Sequence, residues 1–458
     1  MQKASSLAKR NIYCTQRAIC TSVVYKMEAQ LLDEKKGAVY KTCIYLGKHT
    51  LNSRNVIACM VESMYLLKPF IFHLHDGAAW MNTRTKLMPN FTPERLKQIF
   101  NSLLECSGPL IYQIDTKLKK KQSLNIKEIM SSFTMDVISS CAYGLECHHL
   151  NEPHVEFKKY SQRITTTSCN NFYNFVKYVS PSVWKIMYAK RVPTEIETYL
   201  RNTIQGICNY RKTSGVSRND FMQFFLELEE QDRSNWQNKL TIEQIATQAN
   251  VFFLGGCETT ATTLTFILHE LAYNQNIQDR LRGEIRRVIE KYNGNLTYDG
   301  IMEMKYLDQV VYESLRKYPP IPFLKRICTK DYKVAKTDFT IKKGTTIIIS
   351  LLGIHHDPNN FLNPEEFDPE RFTKENKNSR PAFTFLPFGV GTRSCIGQLF
   401  GLIQAKTCIS LLLNNYKFSP TSTGNYNIEF EPSCRVLTTK EPIRLNAVRL
   451  SENITRYY

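Results

Sequence analysis

The stretch Phe388-Gly-Val-Gly-Thr-Arg-Ser-Cys395-Ile-Gly397 decides how this chain is read. Its cysteine stands directly before a long helix that starts near Ile396. Amide groups at a helix N-terminus carry partial positive charge, so a sulfur placed there is held toward its thiolate form. Gly391 and Gly397 permit turning and close backbone approach. Arg393 sets a fixed cation beside the same loop, suited to a carboxylate, and Phe388 opens it with an aromatic ring. One thiol of fourteen is thereby singled out. No two cysteines are spaced as Cys-x-x-Cys, and the others read as buried small hydrophobes rather than a zinc or disulfide framework.

Upstream of this stretch, His355 to Phe388 is long, irregular and dense in Pro, Asn and Asp, which in a compact protein usually carries function. His355 and His356 within it read as hydrogen-bonding loop residues before Asp357-Pro358. Lys305 to Lys317 reads as a helix stopped by Pro319-Pro320. Glu313 and Arg316 share one face of it at i and i+3, among apolar Leu307, Val310, Val311 and Leu315. Such a buried pair needs further hydrogen bonds to be tolerated, and Arg371 in Phe367-Asp-Pro-Glu-Arg-Phe372 supplies a third member. Asp338 to Ser350 alternates and predicts paired strands, and Glu429 to Leu445 reads as strands.

Farther out lies the longest element. Thr241 with Gln244 forms a capping-box signal, and a helix runs from there to about Tyr273. It is apolar on more than one face and therefore buried. Gly255-Gly256-Cys257-Glu258-Thr259-Thr260 interrupts it. Two glycines cost a helix about 1 kcal/mol each, and here they leave a groove for a small ligand, with the Thr259 hydroxyl and the Glu258 carboxyl beside it. Near the start of the readable pattern, Gly77 to Met88 and Thr92 to Glu105 predict two helices. Trp80 and Arg84 lie on one face of the first, and both are donors apt for a carboxylate. Asn276 to Tyr292 predicts a charged surface helix.

These segments together resemble the cytochrome P-450 superfamily. The loop matches its complete Phe-x-x-Gly-x-Arg-x-Cys-x-Gly pattern. The resemblance runs from about Phe72 to Val448, and Arg218-Asn-Asp-Phe-Met-Gln-Phe with Ile354-His-His-Asp-Pro is similar to the arthropod microsomal branch related to vertebrate drug-metabolising forms. It implies a mainly α fold with small β-sheets, haem lying between the long central helix and the cysteine loop. Cys395 then ligates the iron, with Phe388, Gly391, Arg393 and Gly397 shaping the haem loop. Trp80, Arg84 and Arg326 contact haem propionates, and Thr259 and Glu258 relay protons. Glu313, Arg316 and Arg371 lock the fold on the cysteine side. The implied reaction inserts one atom of O2 into a lipophilic small molecule, with electrons from NADPH through a flavoprotein reductase. A haem-thiolate isomerase or dehydratase, or a truncated inactive member, stands as the alternative. Phe252, Phe253, Ile321 to Phe323 and Ser433-Cys434 are the candidate substrate-lining residues.

The formal net charge is +18. No dense Arg/Lys run interleaved with aromatics stands out, so nucleic acid falls behind an anionic membrane surface or an acidic protein partner. Arg84, Lys86 and Lys406 are candidate contacts for the reductase. No stretch reads as a transmembrane helix. By the same resemblance residues 1–71 are an atypical N-terminal segment lacking the family's anchor, residues 72–458 form the haem-thiolate domain, and the chain belongs on the cytosolic face of the endoplasmic reticulum membrane.

Overall fold

Apolar residues on every side of Ile242–Tyr273 leave that stretch no solvent-facing stripe, so the rest of the chain must wrap around it. A computed structural model describes residues 78–145, 194–231, 242–335, 337–422, 424, 426–431, 434 and 436–450; residues 1–71, Thr241 and Ser433 lie outside them. In chain order the helices are α1 (Ala78–Leu87), α2 (Pro93–Glu105), α3 (Ser107–Lys119), α4 (Ile126–Ile138), α5 (Thr194–Ser214), α6 (Phe221–Gln231) and α7 (Ile242–Tyr273). They continue with α8 (Gln275–Lys291), α9 (Tyr298–Glu303), α10 (Lys305–Lys317), α11 (Leu351–His355), α12 (Lys374–Ser379) and α13 (Gln398–Asn415). The strands are β1 (Leu124–Asn125), β2 (Phe323–Ile327), β3 (Tyr332–Lys333), β4 (Thr340–Ile341), β5 (Thr346–Ser350), β6 (Tyr416–Pro420) and β7 (Arg444–Arg449).

Local chemistry sets the boundaries. Pro89 has no amide hydrogen to continue α1, and the chain passes into a 3-10 turn over Met88–Phe91. The Thr92 hydroxyl accepts the Arg95 amide at 3.5 Å to start α2, with Pro93 at its first position. Helix α4 widens into a π-turn over Ser139–Tyr143 and is closed by Gly144 at φ +66°.

Helix α7 has 32 residues, a span of about 48 Å at 1.5 Å per residue. It packs against α4, α10, α13 and β6 and forms the axis of the core. The stretch Val251–Tyr273 is long and apolar enough to cross a membrane by length and composition, and 76% of it is buried inside the fold. Its buried threonines turn inward on their own helix: the Thr263 hydroxyl donates to Thr259 O at 3.0 Å and that of Thr265 to Ala261 O at 2.6 Å.

The paired strands expected within Asp338–Ser350 form, with partners outside that stretch, whereas the tail is less regular than expected. Within Asp338–Ser350 the two strands do not pair with each other. Strand β5 is antiparallel to β2, and β4 is antiparallel to β3. The tail forms one isolated bridge, Phe430 to Thr439, before β7, which pairs with β1 and β6. The irregular stretch before the cysteine loop holds a 3-10 turn over Pro369–Phe372 and the short helix α12.

Candidate active site

The cysteine loop is shaped by two left-handed glycines. Gly389 has φ +70° and Gly391 φ +80°, values an L side chain adopts only with strain. The turn they make lets the Cys395 amide donate to Phe388 O at 2.8 Å, closing the loop back on its own start. At Gly397 φ is −88°, and a Cβ would meet only the Phe91 ring at 3.7 Å. Among protein atoms nothing demands glycine there, contrary to the turning role expected of it. Cys395 is exposed, and its sulfur accepts the Gly397 amide at the start of α13. The sulfur meets open space, yet the protein around it desolvates it. Burial therefore pushes the thiol up, and the Gly397 amide and the Arg84 charge pull it back down.

Donors converge on this loop from distant parts of the chain. Arg84 donates to Ser394 O at 2.9 Å. The Arg393 guanidinium lies over the Trp80 ring, 3.9 Å from its centroid, a stacked cation–π contact. That stacking of Arg393 was not legible in sequence, although each partner was a candidate. Arg326 on β2 comes within 3.8 Å of where a Gly389 Cβ would stand, so it too sits against the loop.

The glycine pair of α7 divides its labour. Gly255 is exposed, with nothing within 4 Å of a Cβ position, so open space lies there. Gly256 instead receives α4: a Cβ would overlap Ile138 Cδ1. The Thr259 hydroxyl donates to Gly255 O at 2.5 Å, on the Gly255 side. Glu258 is half-buried rather than buried, and its partner is Lys127 of α4 at 2.7 Å. Lys127 also donates to the Thr262 hydroxyl at 2.7 Å. Sequence reasoning missed Lys127 because 131 residues separate it from Glu258 and only helix packing brings them together.

Behind the loop, Arg316 is fully buried and every arm of its guanidinium is used. Nε and Nη2 clasp Glu313 at 2.7 and 2.8 Å, Nη1 donates to His355 O at 3.0 Å, and Nη2 reaches Pro364 O at 2.8 Å. Glu313 also accepts the Asp368 amide at 2.9 Å, and Arg371 stands 3.3 Å from it. Burial pushes the Glu313 carboxyl up and Arg316 opposes that. His355 joins this cluster to the loop: Nδ1 pairs with Arg316 O at 3.2 Å, and Nε2 accepts the Leu386 amide at 3.0 Å. His356 bonds Lys317 O and Glu365.

Two further expectations need correction. Lys406 does not face a partner: it is buried in α13 and paired with Asp308 of α10 at 2.9 Å. Phe252 and Phe253 are buried among the described residues rather than facing open space. Phe252 packs against Phe91, Phe221 and Phe225, and Phe253 against Tyr143. An open pocket of about 400 Å³ instead lies on the segment leading into the cysteine loop, walled by Phe383, Phe385, Phe388, Arg380 and Lys377. It includes neither Gly255 nor Thr259, so it is distinct from the α7 groove.

A sulfur that opens on accessible space and accepts an amide, ringed by Trp80, Arg84, Arg393 and Arg326, fits a haem. The iron would take the sulfur, and the propionates would take the cationic and N–H donors. Comparison with known proteins agrees. The family model for cytochrome P450 matches residues 49–447. The chain is 38% identical over 380 residues to "Probable cytochrome P450 6a20" of Drosophila melanogaster, covering 82% of this chain and 76% of that protein. It is 35% identical over 416 residues to "Cytochrome P450 6k1" of Blattella germanica, covering 87% and 79%. With "Cytochrome P450 6A1" of Musca domestica it shares 35% identity over 385 residues, covering 83% and 76%.

Proposed function

The chain belongs to the cytochrome P450 family, a haem-dependent monooxygenase family, and from that premise we propose that Cys395 is the thiolate that binds the iron in this chain. The substrate is a lipophilic small molecule, xenobiotic or endogenous, and electrons come from NADPH through a flavoprotein reductase at the endoplasmic reticulum membrane. The observation that carries the reading is the exposed Cys395 sulfur with the Gly397 amide on it and the Arg84 charge beside it.

Haem ligated by thiolate supplies the oxygen-activating chemistry. The chain's own residues do the rest. Helix α13 and the Gly397 amide hold the sulfur as an acceptor. Trp80, Arg84, Arg393 and Arg326 orient the cofactor by its carboxylates. Gly255 leaves room for a small ligand, and the Thr259 hydroxyl is the proton-bearing group placed at that room. Glu258, the residue before Thr259, is held by Lys127 of α4. The cluster of Glu313, Arg316 and Arg371 fixes the loop from behind.

The test is spectroscopic. The purified protein, reduced and exposed to carbon monoxide, gives the red-shifted Soret band of a thiolate-ligated haem, and Cys395→Ala loses it. A wild-type band at the position of a histidine-ligated haem removes Cys395 as ligand. Screening lipophilic compounds for substrate-induced Soret shifts, followed by NADPH-dependent product formation with reductase, addresses the substrate class.

A further inference from the structure

The open pocket of about 400 Å³ on the segment leading into the cysteine loop takes no part in the reading above. Its size falls within the range of small-molecule sites, about 300–1,000 Å³. Tyr312 of α10 and the rings of Phe383, Phe385 and Phe388 wall it, and Lys377 and Arg380 bring two cations to it. Lys377 Nζ lies 4.3 Å from the Tyr312 ring centroid, and the Arg380 guanidinium 4.5 Å from that of Phe372. Such contacts steady a cation but do not supply acceptors for its N–H groups. Among the described residues no carboxylate stands within ion-pair distance of either. Nearby Asp308 is taken by Lys406 at 2.9 Å, and Glu313 by Arg316 and Arg371. Burial lowers the pKa of both cations, as it does for charge desolvated without a full counter-ion. Phe383 stands out among the walls. It is 68% exposed and has φ +65°. A bulky side chain in the left-handed region costs strain, and a ring left in water recovers little by burial. Folding alone therefore gives no reason for phenylalanine at this position, and strain of this kind gathers at ligand sites.

We propose that this pocket binds a small aromatic carboxylate, its ring against Phe383 and the neighbouring aromatic walls and its carboxylate on Lys377 and Arg380. Aromatic walls attract a flat ring by offset or edge contacts, and a guanidinium matches a carboxylate in shape as well as charge. The two halves of the ligand thus answer the two unsatisfied halves of the pocket. The rival occupant is an acidic segment of a protein partner. It would satisfy the cations and leave the aromatic walls, Phe383 among them, without a role. The pocket includes neither Gly255 nor Thr259, so this ligand sits apart from the compound oxidised beside α7. The proposal goes beyond the monooxygenase reading and does not depend on which residue ligates the iron.

The test uses the haem-loaded full chain, with 2-naphthoate as probe, neutral 2-naphthamide as its isostere and a hexaglutamate peptide for the rival. Calorimetric titrations are run in saturating phenylimidazole, which occupies the iron and the room beside it, so that only sites elsewhere report. Naphthoate is expected to bind, and naphthamide about tenfold more weakly, the worth of one charge-assisted hydrogen bond. Lys377→Gln is expected to weaken naphthoate about threefold. Phe383→Asn removes the ring and adopts positive φ readily. It is expected to weaken naphthoate about tenfold and to raise the midpoint of urea unfolding, whereas loss of a merely structural ring would lower it. Haem content and the reduced carbon-monoxide spectrum serve as folding controls. No binding of naphthoate, or binding that both variants leave unchanged, overturns the proposal. Equal affinity for naphthoate and naphthamide removes the carboxylate and the assignment with it. Hexaglutamate that binds through Lys377 where naphthoate does not gives the cations to an acidic protein segment instead.

Discussion

Thr259 and Glu258 are neighbours in sequence, but a helix turns about 100° per residue, and they look in different directions. Thr259 bonds the carbonyl of the open glycine, and Glu258 is clasped by Lys127 of α4. The proposed proton-bearing group beside Gly255 is the Thr259 hydroxyl. Thr259→Ala should keep NADPH consumption but lower product per NADPH by up to about a hundredfold, the lower end of what a positioned proton donor contributes, with hydrogen peroxide making up the difference. Thr259→Ser should restore most of the coupling. Simultaneous assay of NADPH, product and peroxide decides it; unchanged coupling in Thr259→Ala takes the hydroxyl out of the reaction. The types and spacings of the site residues were legible because each cluster is local in sequence. Their third-dimension partners were not: Lys127 for Glu258 and Trp80 for Arg393 depend on how helices and loop pack.

Among elements, the helices were legible because periodicity and capping residues are written within each segment; α10 begins and ends where Lys305 and the Pro319-Pro320 stop place it. Strand pairing was not, because β2 and β5 find each other across 18 residues that themselves form a hairpin. One junction between elements carries a sharp prediction. Gly144 closes α4 at φ +66°, and a Cβ there would overlap the Arg211 guanidinium. Arg211 is buried and grips Asp220 at 2.8 and 2.5 Å, joining α5 to α6. Gly215 has nearly the same φ, +67°, and nothing within 4 Å of its Cβ position. Gly215→Ala should cost only the backbone term, about 1–2 kcal/mol. Gly144→Ala adds displacement of a buried charge pair and should cost about 3–5 kcal/mol more. Denaturant midpoints of the two variants, compared directly, isolate the crowding; equal losses would mean that Arg211 gives way freely. In the lock behind the loop, Arg316→Ala strands the buried Glu313 and is expected to lose about 3–5 kcal/mol, read as early haem release on urea titration.

For the molecule as a whole, the loop that bears Cys395 is joined to α10 through an imidazole. His355 is fully buried and joins Arg316 O on α10 to the Leu386 amide at the head of the loop. An imidazole that accepts the Leu386 amide at Nε2 must be neutral, with its proton on Nδ1. Burial, reinforced by the nearby positive charges of His356, Arg316 and Arg380, lowers its pKa from 6.5 to about 3. Below pH 6.5 the unfolded chain binds a proton that the folded chain refuses. The contribution of His355 to stability is therefore complete above that pH and declines as the pH falls toward 3. Within that window one such group gives a slope of about 1.4 kcal/mol per pH unit. Two carboxyls nearby contribute in opposite senses, and both are common to wild type and variant, so they drop out of the comparison. Glu313 is pushed up by burial, and Glu365 is drawn down by its bond to His356. His269, lowered by its own burial, adds a parallel term that is common to wild type and variant. The interval between about pH 6 and pH 5 is thus where His355 is read most cleanly. His355→Gln keeps a donor and an acceptor in the same place but cannot titrate. Urea unfolding at several pH values should show the variant less stable at neutral pH, with a pH slope in that interval shallower by about 1.4 kcal/mol per unit. Parallel slopes for wild type and variant would mean that His355 opens to solvent before the fold is lost, and that the cysteine loop is secured by the guanidinium cluster without it.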